Sequence, residues 1–272
     1  MGKIEIPHRK VPHNPSALGV ALGVLRIVGL LLVAGVGAVP VLLAALIPGR
    51  PGGARPAAWV TVVLAKLFLA LFRVRLEAPA TLRTHKGLVF LNHLTYLDPV
   101  VGFARGPVRF LAASGVRGIP CIGLIAMAVG TVFVDRGDRA SRAATRERIH
   151  RHLTARPSPP VALAPEGQIG PGGGVLLPFR HGAFEIAVEA QLPILPLLLS
   201  YEPFDAVVWQ QGEPILLAVW RLAARTAPVY ASARPLALLH PRPAATEAEE
   251  DAEAERLTGI AEAAFREALA AS

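Results

Sequence analysis

Two long apolar stretches open the chain. Ile27 to Pro48 holds 22 residues without a charge; after the turn IPGRPGGARP, a second stretch runs from Ala57 to Phe72, broken by Lys66. As a helix the first is about 33 Å long, enough for a bilayer core of ~30 Å. Pro40 predicts a kink or break inside it, and Arg26 at its start is placed to snorkel to lipid headgroups. The second, at 16 residues, is short for a full span. Beyond it the pattern shifts to short apolar runs between turn residues. Leu88–Leu91, Val108–Ala112, Thr131–Asp135, Val161–Ala164 and Ile194–Tyr201 read as strands, with more strand around Val207 and from Val229. Helices are expected from Pro99 and over Pro120–Ala128, Ser141–Ala155, Gly182–Ala190 and Leu216–Ala224. This alternation predicts an α/β fold: a largely parallel central sheet flanked by helices. Near the end, Leu257, Ile260, Ala261, Ala264, Phe265, Ala268 and Leu269 form one helical face, led by the acidic run Glu247 to Glu255, which suits a helix N-terminus. Three parts follow: 1–78, a basic tail and membrane-associated helical hairpin; 79–243, an α/β domain; 244–272, an acidic-led amphipathic helix.

Charge sharpens this picture. The net +8 is uneven: residues 244–272 hold eight acids and two bases, a net −6, which leaves +14 on the rest. A basic body suits an anionic partner such as a membrane surface or a phosphorylated substrate. Nucleic acid is not expected, because only 6% of residues are aromatic and no zinc finger, ribonucleoprotein aromatic pair or Lys-rich arm is present. Lys3, Arg9 and Lys10 precede the first apolar stretch, Arg50 and Arg55 separate the two, and Arg73 and Arg75 follow. Positive charge on every side fits a hairpin dipping into one leaflet with both ends cytoplasmic. A hairpin buried in the protein satisfies the same pattern. A signal peptide fits less well, the run being long for one and lacking a strong cleavage site. The single cysteine, Cys121, excludes an internal disulfide framework and is expected as a small buried hydrophobe.

The chemistry concentrates in Leu91-Asn92-His93-Leu94-Thr95-Tyr96-Leu97-Asp98-Pro99. His93 follows a predicted strand at its carboxyl end, where open α/β sheets place ligands. Asp98 before Pro99 marks a helix start, with Asp as the N-cap. On a regular helix, His and Asp five apart would lie about 140° apart and meet poorly. In a strand-to-helix turn they can approach, Asp98 holding one imidazole nitrogen and leaving the other as a base. A helix cap beside an unrelated loop histidine has the same spacing.

Further blocks decide between these. NHLTYLDP resembles the first, His-x4-Asp motif of the glycerolipid acyltransferase family, the lysophosphatidic acid and lysophospholipid acyltransferases. GTVFVDR (Gly130 to Arg136), APEGQIGPGGGVLLPFRHGAFEIA (Ala164 to Ala187) and LPILPL (Leu192 to Leu197) are similar to its second, third and fourth motifs, in order, over about residues 86–200. The resemblance makes 79–243 a catalytic acyltransferase domain. It implies acyl transfer from a thioester, on acyl-coenzyme A or acyl-carrier protein as co-substrate, to a lysolipid hydroxyl at the cytoplasmic face of a membrane. By the same resemblance His93 and Asp98 are catalytic. Arg136, Glu166, Gly167 and Arg180 bind the acceptor: the arginines its phosphate, Glu166 a hydroxyl. Surface, loop or ion-pair roles are the alternatives for these four.

Gly-x-Ser-x-Gly is absent, so direct attack without an acyl-enzyme is the simpler route. Gln168 and Ile169 stand where phosphatidate-forming members often have Thr-Arg, which turns attention to other lysophospholipids and to lyso-ornithine lipid as acceptors. A non-catalytic lipid-binding protein of the same fold is the rival from another class. No metal or cofactor is expected: His150 and His152 face different sides of a predicted helix, and His8, His13, His85, His181 and His240 form no ligand spacing. Gly170 to Gly174 lacks the Lys-Ser/Thr of a nucleotide loop.

Overall fold

A computed structural model describes residues 15–79, 84–119, 121–134, 147, 150, 151, 153, 155, 156, 158–210 and 212–271. Arg136 lies outside them. Of the helix expected over 141–155, the described residues are helical.

The short apolar runs become the strands of one sheet: β1 Val74–Glu77, β2 Leu88–Leu91, β3 Arg109–Ala113, β4 Val132–Val134, β5 Val161–Leu163, β6 Ile194–Glu202 and β7 Val229–Pro235. Their order is β1-β7-β6-β2-β5-β3-β4, parallel at every pairing except β6 with β7. Every residue of β2 and of β5 is buried, as expected of central parallel strands covered on both faces. Alternate side chains divide two cores. Val89, Leu91, Ala162, Leu195, Leu197 and Leu199 face one layer of helices, and Leu88, Phe90, Val161, Leu163, Ile194 and Leu198 the other.

The first layer comprises α1 Ala17–Leu46, α2 Pro56–Leu71, α3 Asp98–Arg105, α4 Ile122–Val129 and α6 Ile215–Ala223. The second holds α5 His181–Ala190 and α7 Glu247–Ala270. Here Phe90 meets Phe184 edge-on at 4.8 Å between ring centroids, and Phe179 meets Phe265 at 5.3 Å. On α7, Leu257, Ala261, Phe265 and Ala268 are buried, whereas Ile260 is 40% exposed. Thr246 caps this helix by accepting from Glu249 N, with Glu247, Glu249 and Glu250 in the first turn.

α1 is one helix of 30 residues, continuous through Pro40 and capped by Ser16, whose Oγ accepts from Gly19 N at 3.1 Å. It is long and apolar enough to cross a membrane. Gly37 lies against Leu64 and Gly29 against Leu71, so α2 runs antiparallel beside α1. Ala57, Ala58, Thr61, Val62, Ala65 and Leu69 are buried, which makes α2 a wall of the core. The outer face of α1 remains bare, with Leu25, Leu31, Leu32, Val36, Leu43 and Leu46 all at least 60% exposed.

Three expectations are corrected and one strand is new. Arg26 does not reach outward: it is buried, and its Nη1 donates to Ala223 O at 2.7 Å and Arg225 O at 2.5 Å. The end of α6 leaves carbonyls without helical partners, and a buried guanidinium answers them. Val207 is not in a strand. Phe204–Ala206 forms a 3-10 turn, and Val207 O accepts from Thr95 Oγ1 instead of a ladder partner. Cys121 is half-buried at the start of α4, with φ +60°. The unexpected strand β1, sequence VRLE, alternates apolar and charged residues at the sheet edge.

Phe265 is fully buried beneath α5. Phe265→Ala is expected to cost about 3–5 kcal/mol of stability, read as a lowered denaturation midpoint in detergent.

Candidate active site

The sheet builds the site by ending β2 early. The β2–β6 ladder stops at Leu91 opposite Leu197, but β6 continues to Glu202. The Asn92 side chain extends the pairing: its Nδ2 donates to Leu199 O at 3.0 Å and its Oδ1 accepts from Leu199 N at 2.7 Å. A side-chain amide thus answers both main-chain groups of a residue that β2 no longer reaches. The chain then turns through residues 93–97, held by the Thr95 hydroxyl donating to Val207 O at 2.6 Å.

α3 starts near Pro99 as expected, but it takes Leu97 as its N-cap and Asp98 as its first residue, with Pro99 second. The Asp98 carboxylate is therefore free to face back into the turn. His93 Nδ1 lies 2.6 Å from Asp98 Oδ2. The same oxygen accepts from Leu94 N at 2.8 Å and Thr95 N at 3.1 Å, while Oδ1 accepts from Tyr201 Oη at 2.8 Å. Asp98 is 1% exposed, and the His93 side chain keeps 30% of its surface. With Nδ1–H donating to the carboxylate, the neutral imidazole carries its lone pair on Nε2. The sequence alternatives are thereby separated: Asp98 is not the cap of an unrelated helix, and the two side chains meet in the turn.

Glu166 sits in the loop after β5 with 3% exposure. Its Oε1 accepts from His93 N at 3.0 Å and its Oε2 from Leu177 N at 3.1 Å, while Gly170 N donates to His93 O at 2.6 Å. This carboxyl, read from the sequence as a contact to the acceptor hydroxyl, faces the main chain of His93, where the buried N–H groups of the two loops need an acceptor. Burial pushes its pKa up to about 7, against the opposing pull of those N–H bonds.

Gly167, at φ +72°, makes room for Arg180: a Cβ there would stand 2.2 Å from Arg180 Nε. That Nε donates to Glu166 O at 3.2 Å, and Arg180 N to Pro165 O at 2.8 Å. The Arg180 guanidinium is exposed, and no carboxylate among the described residues pairs with it. The structure thus gathers His93, Asp98, Glu166, Gly167 and Arg180 at the carboxyl ends of β2 and β5. Away from this pair, His181, Glu185 and Asp251 bring three ligand-type atoms within 4.8 Å of one another between α5 and α7.

Sequence reasoning missed Asn92 and Tyr201. Tyr201 carried one signal, a hydroxyl at the end of a strand otherwise apolar enough to be buried, which needs a partner there.

Residues 73–200 match the acyltransferase family model. The lysophospholipid acyltransferase LPEAT1 of Arabidopsis thaliana is 31% identical over 130 residues, 45% of this chain and 31% of its own length. A 1-acyl-sn-glycerol-3-phosphate acyltransferase of Helicobacter pylori is 31% identical over 134 residues, 48% of this chain and 56% of its own. The lyso-ornithine lipid O-acyltransferase of Brucella abortus is 32% identical over 149 residues, 51% of this chain and 52% of its own. The match spans between 31% and 56% of the length of these curated relatives. The crystal structure of the 1-acyl-sn-glycerophosphate acyltransferase PlsC from Thermotoga maritima has the same fold: TM-score 0.61 over 90% of this chain and 95% of that one, at 18% identity. Motif order and matched segment point the same way: residues 73–200 resemble the acyltransferase family, and the strand topology is that of the solved structure.

Proposed function

We propose that the chain transfers an acyl group from a thioester, on coenzyme A or acyl-carrier protein, to the free hydroxyl of a lysolipid. The contact between His93 Nδ1 and Asp98 Oδ2 at 2.6 Å carries this reading. A hydroxyl is a weak nucleophile at neutral pH, so its attack needs a base. His93 Nε2 takes the hydroxyl proton as the oxygen bonds to the thioester carbonyl carbon. The carbonyl electron pair moves onto oxygen, then returns as the C–S bond breaks, and the leaving sulfur takes the proton from the imidazolium. Asp98 stabilises that cation and keeps the imidazole in its reactive tautomer. Glu166 fixes the His93 main chain and Gly167 lets Arg180 lie close. Arg180, joined by Arg136, binds an acceptor phosphate as a fixed cation.

The exposed face of α1 seats the protein on the membrane that holds the lysolipid, with the basic flanks on the cytoplasmic side. A surface site spares both acyl chains a passage through water at about 0.8 kcal/mol per CH₂. The relatives named above act on lysophospholipids, on 1-acyl-glycerol-3-phosphate and on lyso-ornithine lipid, so the acceptor is resolved by assay.

Membranes containing the protein, given labelled acyl-coenzyme A or acyl-carrier protein and a panel of these lysolipids, should acylate one acceptor class. His93→Ala should lower that rate about 10²–10⁴-fold. A rate that survives the substitution rejects His93 as the base, and no transfer to any acceptor favours the non-catalytic lipid binder. For a phosphate-bearing acceptor, Arg180→Ala should raise KM about tenfold or more, with a smaller change in kcat.

Glu166 gives a pH signature. Between its ordinary 4.5 and the raised value of about 7, the unfolded chain ionises this carboxyl while the folded chain keeps it neutral. Its stabilising contribution is therefore present below that window and lost as pH rises through it. Denaturant titrations of the native chain and Glu166→Gln should show their stability difference moving by roughly 3 kcal/mol against the native chain across the window.

A further inference from the structure

We infer that Tyr201 is a positioning residue for acyl transfer: its hydroxyl holds the second oxygen of Asp98, so that the first stays directed at His93. The inference rests on the reading of His93 as the base. Tyr201 lies near the end of β6, in the part that outruns β2, and is 4% exposed. Its Oη donates to Asp98 Oδ1 at 2.8 Å. Oδ2 accepts from three donors, His93 Nδ1, Leu94 N and Thr95 N. A carboxylate offers about four lone-pair sites. Among the described residues, three donors therefore crowd one oxygen while a single hydroxyl serves the other.

With Asp98 at 1% exposure, bulk water does not supply a replacement donor. Removing the hydroxyl leaves Oδ1 buried without a partner among the described residues. Two effects follow. The carboxylate loses the contact that resists its rotation, so the imidazole is held less firmly. Its negative charge is also less stabilised, which draws the proton more strongly onto His93 and raises the pH at which the base becomes free. Burial and the adjacent Asp98 charge hold the Tyr201 phenol well above its ordinary 10, so it remains a donor over the working range.

The experiment compares the full-length native protein, His93→Ala, Tyr201→Phe and a protein with 3-fluorotyrosine at position 201, all in membranes. Rates are measured against pH and acceptor concentration, with thermal unfolding alongside. Tyr201→Phe should lower kcat about tenfold at near-constant KM, and should move the acidic limb of kcat/KM up by about one unit. 3-Fluorotyrosine keeps the ring and strengthens the donor, so its acidic limb should move down. Loss of activity in His93→Ala with an unmoved limb in both Tyr201 variants overturns the role of Tyr201 alone. Full activity in His93→Ala overturns the reading beneath it. If Tyr201→Phe does not fold, the fluorinated protein decides: a downward limb supports the inference and an unmoved limb rejects it.

Discussion

Unequal strand length governs this structure. β6 has nine residues and its neighbour β2 only four, so the second half of β6 is paired on one side by β7 and on the other by a turn. Buried peptide groups on that side need partners as much as those in any ladder. Asn92 answers the Leu199 peptide through its side-chain amide, and Asp98 accepts from the buried Tyr201 hydroxyl. The turn that carries His93 and Asp98 is thus fastened to the sheet by the same demand that pairs strands. Glu166 closes the other side by accepting from His93 N and Leu177 N.

The sequence made much of the fold legible because central parallel strands are short, apolar and bounded by turns. Leu88–Leu91 appears at the predicted limits, and Ile194 starts β6 as expected. What escaped was decided by tertiary partners. β1 is four residues with two charges, and it becomes a strand only because β7 lies beside it. Val207 has strand-like neighbours but packs as the end of a turn whose carbonyl takes the Thr95 hydroxyl. Arg26 beside an apolar run fits a lipid interface in one dimension. In three, the carbonyls at the end of α6 are nearer.

The site shows the same division. His93 and Asp98 were legible because their spacing belongs to a motif, and their contact follows from the turn between β2 and α3. The inward direction of Glu166 was not, since a loop glutamate gives no sign of which main-chain donors surround it. Tyr201 was hidden for a related reason: more than a hundred residues separate it from Asp98, and only sheet order joins them.

The buried Arg26 has a mechanical meaning. It lies on the longest apolar helix yet is hydrogen-bonded to the end of α6, and Gly19 and Gly23 bring the helix backbone against Ala224 and Trp220. α1 is therefore bolted to the sheet-bearing body over its first turns and leans on α2 farther along, leaving it no independent tilt. Any surface that takes up its outer face receives the whole molecule at a fixed attitude. The height of His93 above such a surface is then a dimension of the protein, set by side-chain packing.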